Sequence, residues 1–466
     1  MEWQQLLSEK RSRGRKTPYK SNDLRSEFEK DYHRIIGSAS FRRLQDKTQV
    51  FPLDKSDFIR TRLTHSLEVS SFGKSLGQNI GENILKYNLD PGFTPRMKED
   101  ICHILQCAGL IHDIGNPPFG HFGETAIREW FQKRIPKMHY NGQVLEEMLT
   151  PWMKEDFYHF EGNAQALRLV SKLHFLVDEY GMNLTYALLN TIVKYPVSSL
   201  GINQSSGDIK EKKMGYYYAD QALFEEISKE TGTLGRRHPL TYILEAADDI
   251  AYKTADIEDA FVKGFISYYR LCEVLQTIPR KEGETHPIEM LQRQYEHGKE
   301  HEVKDPETYA VKNWIIRMQS LLINCATYGF TSNYKAIMEG EYKYDLFHGT
   351  FAETVMEVLG RLAYEEVFCS PEIFKMEVTE SVIINFLMDN LAEAFLYYDT
   401  DKKMSSRAER LEALVSDNYK NAYHHQAEGK SEAEKLYLRF LLVTDYICGM
   451  TDSYAKRLYQ ELNAVI

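Results

Sequence analysis

The chain has 466 residues, a formal net charge of −11 and 43% hydrophobic residues. This length is enough for two or three domains, and the negative charge argues against a surface built throughout for nucleic acid. No run reaches the ~18 apolar residues of a membrane span, and the stretch 1–20 has no apolar segment typical of a signal peptide. The six scattered cysteines form no C-x-x-C pair, which favours reduced thiols. We therefore expect a soluble cytoplasmic protein with no membrane partner.

Apolar residues recur at helical intervals along most of the chain. We predict a long helix that begins at the N-cap Thr64 and continues through Leu76, Ile80 and Ile84. A second helix should cover the mostly apolar run 104–111. Strand patterns are scarce, and the best one, GYYY at 215–218, predicts an arm of a short hairpin.

The stretch IHDIGNPPFGHFGE at 111–124 places polar residues directly behind the second helix. Adjacent residues on a regular helix point about 100° apart, so His112 and Asp113 can meet one ion only where the helix ends. Gly115 and the two prolines after Asn116 supply that end. A tight loop should then turn the following His and Glu back towards the same point.

A later helix should cover LEAADDIAYKTADIEDA at 244–260. In it Asp248, Tyr252 and Asp256 are spaced i, i+4 and i+8, so they lie along one face. Small alanines beside that face would let a ligand or another backbone come close. Further helical segments follow near the C-terminus, and the polar breaks near 205–213, 280–286 and 402–407 look like loops. The sequence therefore predicts an all-α fold in a single compact unit, 1–466, with at most a short β-hairpin.

Each polar feature also has an ordinary explanation. A lone histidine on an apolar helix face, such as His65, is more often a satisfied core residue, and Asp248 with Asp249 fits a solvated helix edge. The joint order along the chain changes this balance, because His, then His-Asp, then Asp is the signature of the HD metal-dependent phosphohydrolases.

The chain resembles one branch of that superfamily, the deoxyguanosine triphosphate triphosphohydrolases, over nearly its whole length. The matching blocks lie in family order from Phe41 to Ala455: FRRLQDKTQVF, RTRLTHSLEV, GLIHDIGNPPFGHFGE, HFEGNAQALRL, VKYP, EAADDIAYKTADIEDA and DYICGMTDSYA. The resemblance implies an HD-domain helical core at roughly 40–265. It also implies additional C-terminal helices at roughly 266–466 that contribute to the base pocket and to oligomer contacts.

The resemblance also implies a divalent metal. Its ligands would be His65, His112, Asp113 and Asp248. Asp248 is preferred over Asp249 because Tyr252 and Asp256 follow it on the same face. Two imidazoles and two carboxylates suit Mn²⁺ or Mg²⁺, and Co²⁺, Fe²⁺, Zn²⁺ or Ni²⁺ remain open. In this family the expected catalytic pair is His121, as general base or nucleophile, and Glu124, which orients it.

A triphosphate substrate needs local cations in a net-acidic protein. The expected phosphate contacts are Arg62, His159, Lys194, Tyr195 and Lys213. By resemblance, Tyr252 would lie against the deoxyribose and Asp256 would accept from the 3′-hydroxyl. The expected base contacts are Gln49, Val50 and Arg439.

The function implied is hydrolysis of a deoxynucleoside triphosphate, dGTP above all, to deoxynucleoside and tripolyphosphate. One alternative is an HD phosphohydrolase that acts on other nucleotides: broadly on dNTPs, on nucleoside monophosphates or on signalling nucleotides. Another is a catalytically silent regulatory protein that binds a nucleotide or DNA. By the family's habit we expect a homo-oligomer, hexamer or tetramer, and single-stranded DNA or a nucleotide as an allosteric effector.

Overall fold

A computed structural model describes residues 1–14, 23–49, 59–174 and 178–465. Helices dominate it, which confirms the predicted all-α fold. The only sheet in these ranges is an antiparallel hairpin of β1 (His139–Tyr140) and β2 (Gln143–Val144). No helix within them has the length and apolarity that crossing a bilayer requires.

The bounds of the helices are as follows. The first part of the chain contains α1 (Trp3–Leu6), α2 (Glu27–Ile36), α3 (Ala39–Arg43), α4 (Arg62–Lys86), α5 (Pro95–Ile111), α6 (Gly120–Arg134), α7 (Leu145–Met148), α8 (Pro151–Tyr158), α9 (Gly162–Arg168), α10 (Tyr186–Ile192), α11 (Gln221–Glu230) and α12 (Pro239–Val262). The remainder contains α13 (Tyr268–Gln276), α14 (Pro287–Glu300), α15 (Pro306–Ser332), α16 (Tyr334–Glu339), α17 (Phe351–Ala363), α18 (Pro371–Phe395), α19 (Ser406–Glu412), α20 (Asp417–Ala427), α21 (Glu432–Cys448) and α22 (Asp452–Leu462). Short π-helical turns follow α9 (Leu169–Leu173) and α17 (Tyr364–Phe368).

Two local predictions were wrong. The N-cap of α4 is Thr61, not Thr64, because Thr64 already lies in the first turn and closes a capping box with Thr61. The segment 215–218 forms no strand, because other partners take its backbone groups. Gly215 N donates to Val197 O, and Tyr218 N donates to the carboxylate of Asp156.

Helices α4, α5 and α12 pack against one another and position the site. The contact between α4 and α5 is very close at Gly109, where an added Cβ would stand 2.5 Å from Ser70 Cα. Only glycine permits that approach. It brings the first turns of α4 to the C-terminal end of α5.

Two hydrophobic clusters hold the helices. The larger, called the core cluster, is built on α4, α5, α6, α10, α18 and α21. The smaller, called the side cluster, is built on α13, α14 and parts of α15 and α17. Helix α12 passes from one to the other: Ala247 and Ala251 belong to the core cluster, and Ile257 and Ala260 to the side cluster.

Candidate active site

Two buried histidines face each other where α4 meets the end of α5. His65 lies in the first turns of α4, and His112 is the C-terminal cap of α5. Each side chain is 1% exposed, and the two ring centroids are 5.3 Å apart. The predicted helix end is confirmed, because α5 stops at Ile111 and the chain then turns. The turn lets Asp113 face the same point as its neighbour His112.

The carboxylate of Asp248 on α12 completes the cluster. Its Oδ1 lies 3.1 Å from His65 Nε2 and 3.3 Å from His112 Nε2. Asp113 Oδ1 lies 3.6 Å from His112 Nε2. Two ligand atoms at 90° around an ion, each at about 2.1 Å, stand about 3 Å apart, so this spacing fits one shared divalent cation. His65, His112 and Asp113 each offer one ligand atom within 4.8 Å of the others.

The tautomer of His112 also suits a metal. Its Nδ1–H donates to the carbonyl oxygen of Gly109 at 2.8 Å, so the lone pair of the neutral ring is on Nε2. That nitrogen is buried and has no hydrogen-bond partner of good geometry in the part of the chain that the structure describes. A buried lone pair directed at two carboxylates is the arrangement that a cation would satisfy.

Two cations offset the charge of the carboxylates. Arg62 NH1 donates to Asp113 Oδ2, and Lys194 Nζ donates to Asp248 Oδ2 at 2.6 Å. Burial by itself would raise the pKa of Asp248, but Lys194 and the histidines outweigh burial and hold that pKa well below its usual range. Burial opposes Arg62 in the same way at Asp113, whose pKa is also lowered. Both groups are therefore ionised at neutral pH, as metal ligation requires.

The neighbouring carboxyl, Asp249, behaves differently. Burial, together with the nearby charges of Glu245 and Asp248, raises the pKa of Asp249 to about 7. Among the described residues it makes none of the histidine contacts that Asp248 makes.

His121 and Glu124 lie on the first turn of α6, not within a loop as the sequence suggested. The helix begins at Gly120 because Phe119 and Gly120 both adopt left-handed backbone angles, with φ of 65° and 59°, and reverse the chain there. An added Cβ at Gly120 would also stand 2.4 Å from the guanidinium of Arg62. His121 and Glu124 are therefore paired at i, i+3, with Nδ1 3.0 Å from Oε2.

Glu124 is held rigidly, whereas His121 is accessible. Glu124 is 1% exposed, and it accepts from Gly162 N at 2.8 Å and from Arg128 at 3.1 Å. Burial opposes ionisation of Glu124, but His121 and nearby cations outweigh it and hold its pKa at about 2. The His121 side chain is 72% exposed. Because Nδ1–H donates to an ionised carboxylate, the free lone pair of the neutral ring is on Nε2.

The sequence analysis missed two residues that lie beside the His121–Glu124 pair. Arg128 bridges Glu124 and Glu161, the latter at 3.4 Å, and Glu161 is buried and pairs with Lys213 at 2.9 Å. Arg128 stands four residues after Glu124, a spacing typical of helical ion pairs that could have revealed it. No sequence signal singles out Glu161.

The other expected phosphate contacts are placed unevenly. Lys194 forms an ion pair with Asp248, and Lys213 forms one with Glu161. Tyr195 is buried at 7% exposure. His159 is at the surface, where its Nε2 lies 3.2 Å from Glu155.

The residues expected to contact the sugar and the base lie in different environments. Tyr252 is partly exposed, and Asp256, four residues further along α12, is buried with its carboxylate beside the Tyr252 side chain. Burial raises the pKa of Asp256 to about 8. The Oε1 atom of Gln49 is buried and has no hydrogen-bond partner among the described residues, whereas Val50 lies outside them.

Arg439 is not brought to this cluster by any described contact. It is 1% exposed, and its guanidinium donates to Glu432 at 3.0 Å and to Tyr140 and Leu396 at 3.3 Å. Its role at a guanine edge stays a prediction.

Comparison with known proteins agrees with this geometry. Residues 62–197 match the HD domain and residues 350–461 the phosphohydrolase-associated domain. The chain is 49% identical to a deoxyguanosinetriphosphate triphosphohydrolase-like protein of Listeria monocytogenes and 33% identical to one of Synechocystis sp., with 100% of each chain covered. It is 32% identical to a deoxyguanosinetriphosphate triphosphohydrolase of Serratia proteamaculans, over 95% of this chain and 94% of the relative. It is thus a nucleotide phosphohydrolase whose HD domain implies a divalent metal. The chain belongs to the deoxyguanosine triphosphate triphosphohydrolase-like family of HD-domain phosphohydrolases.

Proposed function

We propose that this protein hydrolyses deoxynucleoside triphosphates, dGTP above all, to deoxynucleoside and tripolyphosphate. Water adds to the α-phosphorus, the bond to the 5′-oxygen breaks, and that oxygen takes up a proton. The observation that carries the proposal is the convergence of His65, His112, Asp113 and Asp248, with the His121–Glu124 pair at the start of α6. The names of the full-length relatives support the substrate.

The metal would be Mn²⁺ or Mg²⁺, held by the four converging residues. When bound, a divalent ion polarises a phosphoryl oxygen and makes a nearby water more acidic. Lys194 and Arg62, which lie on the two carboxylates, keep those carboxylates ionised and in place.

His121 is the proposed catalytic residue. Its exposed Nε2 would take the proton of the attacking water or attack the phosphorus itself. Glu124 fixes the ring through Nδ1 and stabilises the imidazolium once it forms. Gly162 and Arg128 hold Glu124 in turn, so the pair needs little rearrangement when the charge develops.

The proposed substrate contacts divide by chemistry. Arg62, His159, Lys194, Tyr195 and Lys213 would contact the triphosphate, Tyr252 and Asp256 the deoxyribose, and Gln49, Val50 and Arg439 the base. The phosphate contacts draw support from the cations clustered around the acidic centre, since arginine and lysine bind phosphate by charge-assisted hydrogen bonds.

Some features are proposed from the sequence patterns or the family resemblance alone. These are an HD core at roughly 40–265 and C-terminal helices at roughly 266–466 in one unit, a homo-oligomer, a cytoplasmic location, and an effector that is single-stranded DNA or a nucleotide.

Product analysis tests the function. The purified protein would be incubated with each dNTP, singly and in mixtures, with Mn²⁺ or Mg²⁺, and the products separated by anion exchange. Deoxyguanosine and intact tripolyphosphate are expected from dGTP, and none with the His112→Ala variant. Release of single phosphates would instead favour another kind of HD phosphohydrolase, and dGTP binding without turnover a silent regulatory protein.

A further inference from the structure

One buried carboxylate joins the C-terminal helices to the start of α6. Asp452 is the first residue of α22 and is 2% exposed. Its Oδ1 accepts from the backbone N–H of Phe119 at 2.9 Å. Its Oδ2 accepts from the backbone N–H of Thr48 at 2.8 Å and from the Thr48 hydroxyl at 2.5 Å. All three donors come from the N-terminal part of the chain.

Phe119 is the residue at which that support matters. It is the N-cap of α6, and its phenyl ring carries no oxygen or nitrogen that could cap the helix. Its backbone is left-handed, a conformation that residues with a Cβ rarely adopt. Such a turn persists only when its surroundings fix it. The next residues are Gly120 and His121, so the direction of the first turn of α6 is set here.

Thr48 connects the same carboxylate to the metal side. Thr48 forms an isolated antiparallel bridge with Thr61, the N-cap of α4, and Lys47 O accepts from Arg62 N at 2.8 Å. The ammonium of Lys47, 3% exposed, donates to Asn116 O and Cys448 O, each at 2.6 Å. The segment 47–48 therefore contacts α4, the loop before α6, and the end of α21.

We propose that Asp452 is a positioning residue that fixes the start of α6, and with it His121, relative to the metal ligands on α4. The proposal rests on the function proposed above. Through Asp452, the phosphohydrolase-associated region, 350–461, thereby sets the geometry of the first turn of α6 in the HD domain, 62–197.

The test uses the full-length protein with Asp452→Ala and Asp452→Asn. Alanine removes all three bonds. Asparagine keeps the shape, but its single amide oxygen leaves one backbone N–H facing an NH₂ group. We expect kcat for dGTP to fall about tenfold to a hundredfold in Asp452→Ala, the scale of a lost hydrogen bond to a charged group, and less in Asp452→Asn. Mn²⁺ affinity, measured by titration calorimetry, should stay close to wild type.

Hydrogen exchange supplies a readout that does not depend on turnover. Peptides covering 117–124 should exchange faster in Asp452→Ala, and those covering 66–76 should not. Asp389→Asn is the matched control, because Asp389 on α18 also accepts hydrogen bonds from α6, but from Trp130 and Arg134 at its far end. Its kcat should stay within about twofold, as for other surface changes.

The outcomes separate cleanly. A folded Asp452→Ala or Asp452→Asn with wild-type kcat and wild-type exchange at 117–124 overturns the proposal. Faster exchange throughout the chain, with Mn²⁺ affinity lost, also overturns it, since Asp452 would then serve general stability. If Asp452→Ala does not fold, Asp452→Asn carries the test. If the wild type fails to release tripolyphosphate from dGTP, the proposed function fails, and the local exchange still decides the role of Asp452.

Discussion

His65 and His112 are enclosed by α4, α5 and α12, whereas His121 stands 72% exposed on the first turn of α6. The carboxylate partners are reversed. Asp113 and Asp248 keep 17% and 21% of their side chains exposed, and Glu124 keeps 2%. In the proposed metal-ligand set, the two histidines are the more buried side chains; in the His121–Glu124 pair, the carboxylate is the more buried one.

This difference fits two kinds of chemistry. Metal ligands must hold one geometry, and burial between packed helices restricts their rotamers. A group that takes a proton must reach the substrate, so it is exposed while its anchor is buried. We therefore expect losses at the two regions to differ in size and kind.

The largest loss is expected in the metal-ligand set. Turnover should be abolished by alanine at any of its members, His65, His112, Asp113 or Asp248, because each change leaves an incomplete ligand set. Asp249→Ala is the matched control and should retain more activity than Asp248→Ala. Steady-state dGTP hydrolysis and Mn²⁺ titration measure both. The opposite order at the two aspartates would move the ligand assignment by one residue.

At the exposed histidine the loss should be large but confined to the chemical step. His121→Ala should lower kcat by roughly 10² or more, the scale of a lost acid–base group, while dGTP and metal still bind. Glu124→Gln should do the same more mildly, because it only orients the ring. Glu129→Gln, an exposed acid further along α6, is the control. Wild-type turnover by His121→Ala would reduce the start of α6 to scaffolding.

A smaller effect is expected at the sugar face, one turn beyond Asp248. If the ring of Tyr252 packs where a 2′-hydroxyl would lie, that hydroxyl loses its water without gaining a partner. Tyr252→Ala should then lower the dGTP-to-GTP ratio of kcat/KM by about tenfold, and Tyr252→Phe should keep it. Melting temperatures show whether the variants fold. A folded Tyr252→Ala with the wild-type ratio would place sugar discrimination elsewhere.

The smallest effect concerns the pH dependence of protein stability that arises from His238. This histidine differs from the two kinds above because it is buried and hydrogen-bonded to uncharged backbone groups. His238 caps α12 by accepting from Leu240 N, and it donates from Nε2 to Leu6 O at 3.2 Å. Burial lowers its pKa to about 4, from 6.5. The folded state therefore binds fewer protons than the unfolded state. The contribution of neutral His238 to the free energy of unfolding is fully present above pH 6.5 and is lost as the pH falls towards 4.

The corresponding measurement is the melting temperature against pH for wild type and His238→Asn. Asparagine can cap the helix but has no basic nitrogen to protonate. The wild type should lose a few degrees more than the variant between pH 7 and 4.5. Parallel curves would mean that His238 is protonated without cost.

Much of this arrangement could be read from the sequence, and the reasons are local. The glycine and prolines after Asp113 predict the end of α5. The spacing of Asp248, Tyr252 and Asp256 places them on one helix face. The structure brings His65, His112, Asp113 and Asp248 together as expected, and their role as ligands remains a prediction.

What the sequence did not reveal depends on distant partners. Thr61 and Thr64 are equally good caps, and only the reciprocal bonds between them show which one begins α4. The tyrosines at 216–218 look like a strand until Asp156, some sixty residues earlier, takes the amide of Tyr218. Glu161 is recognised as part of the site only from its ion pairs with Arg128 and Lys213.

The passage of α12 between the two clusters has a consequence for how substrate preference can evolve. The boundary falls between Ala251 and Ile257, so Asp248 stands on the core-cluster side and Asp256 adjoins the side cluster. Substitutions in the side cluster can shift the end of α12 that carries Asp256, the proposed sugar contact, while the part that carries Asp248 stays packed against α4 and α5. We therefore expect related enzymes to differ in the nucleotide they accept while all of them keep their hydrolytic activity. The residues that account for these differences in selectivity should concentrate around α13, α14 and α17.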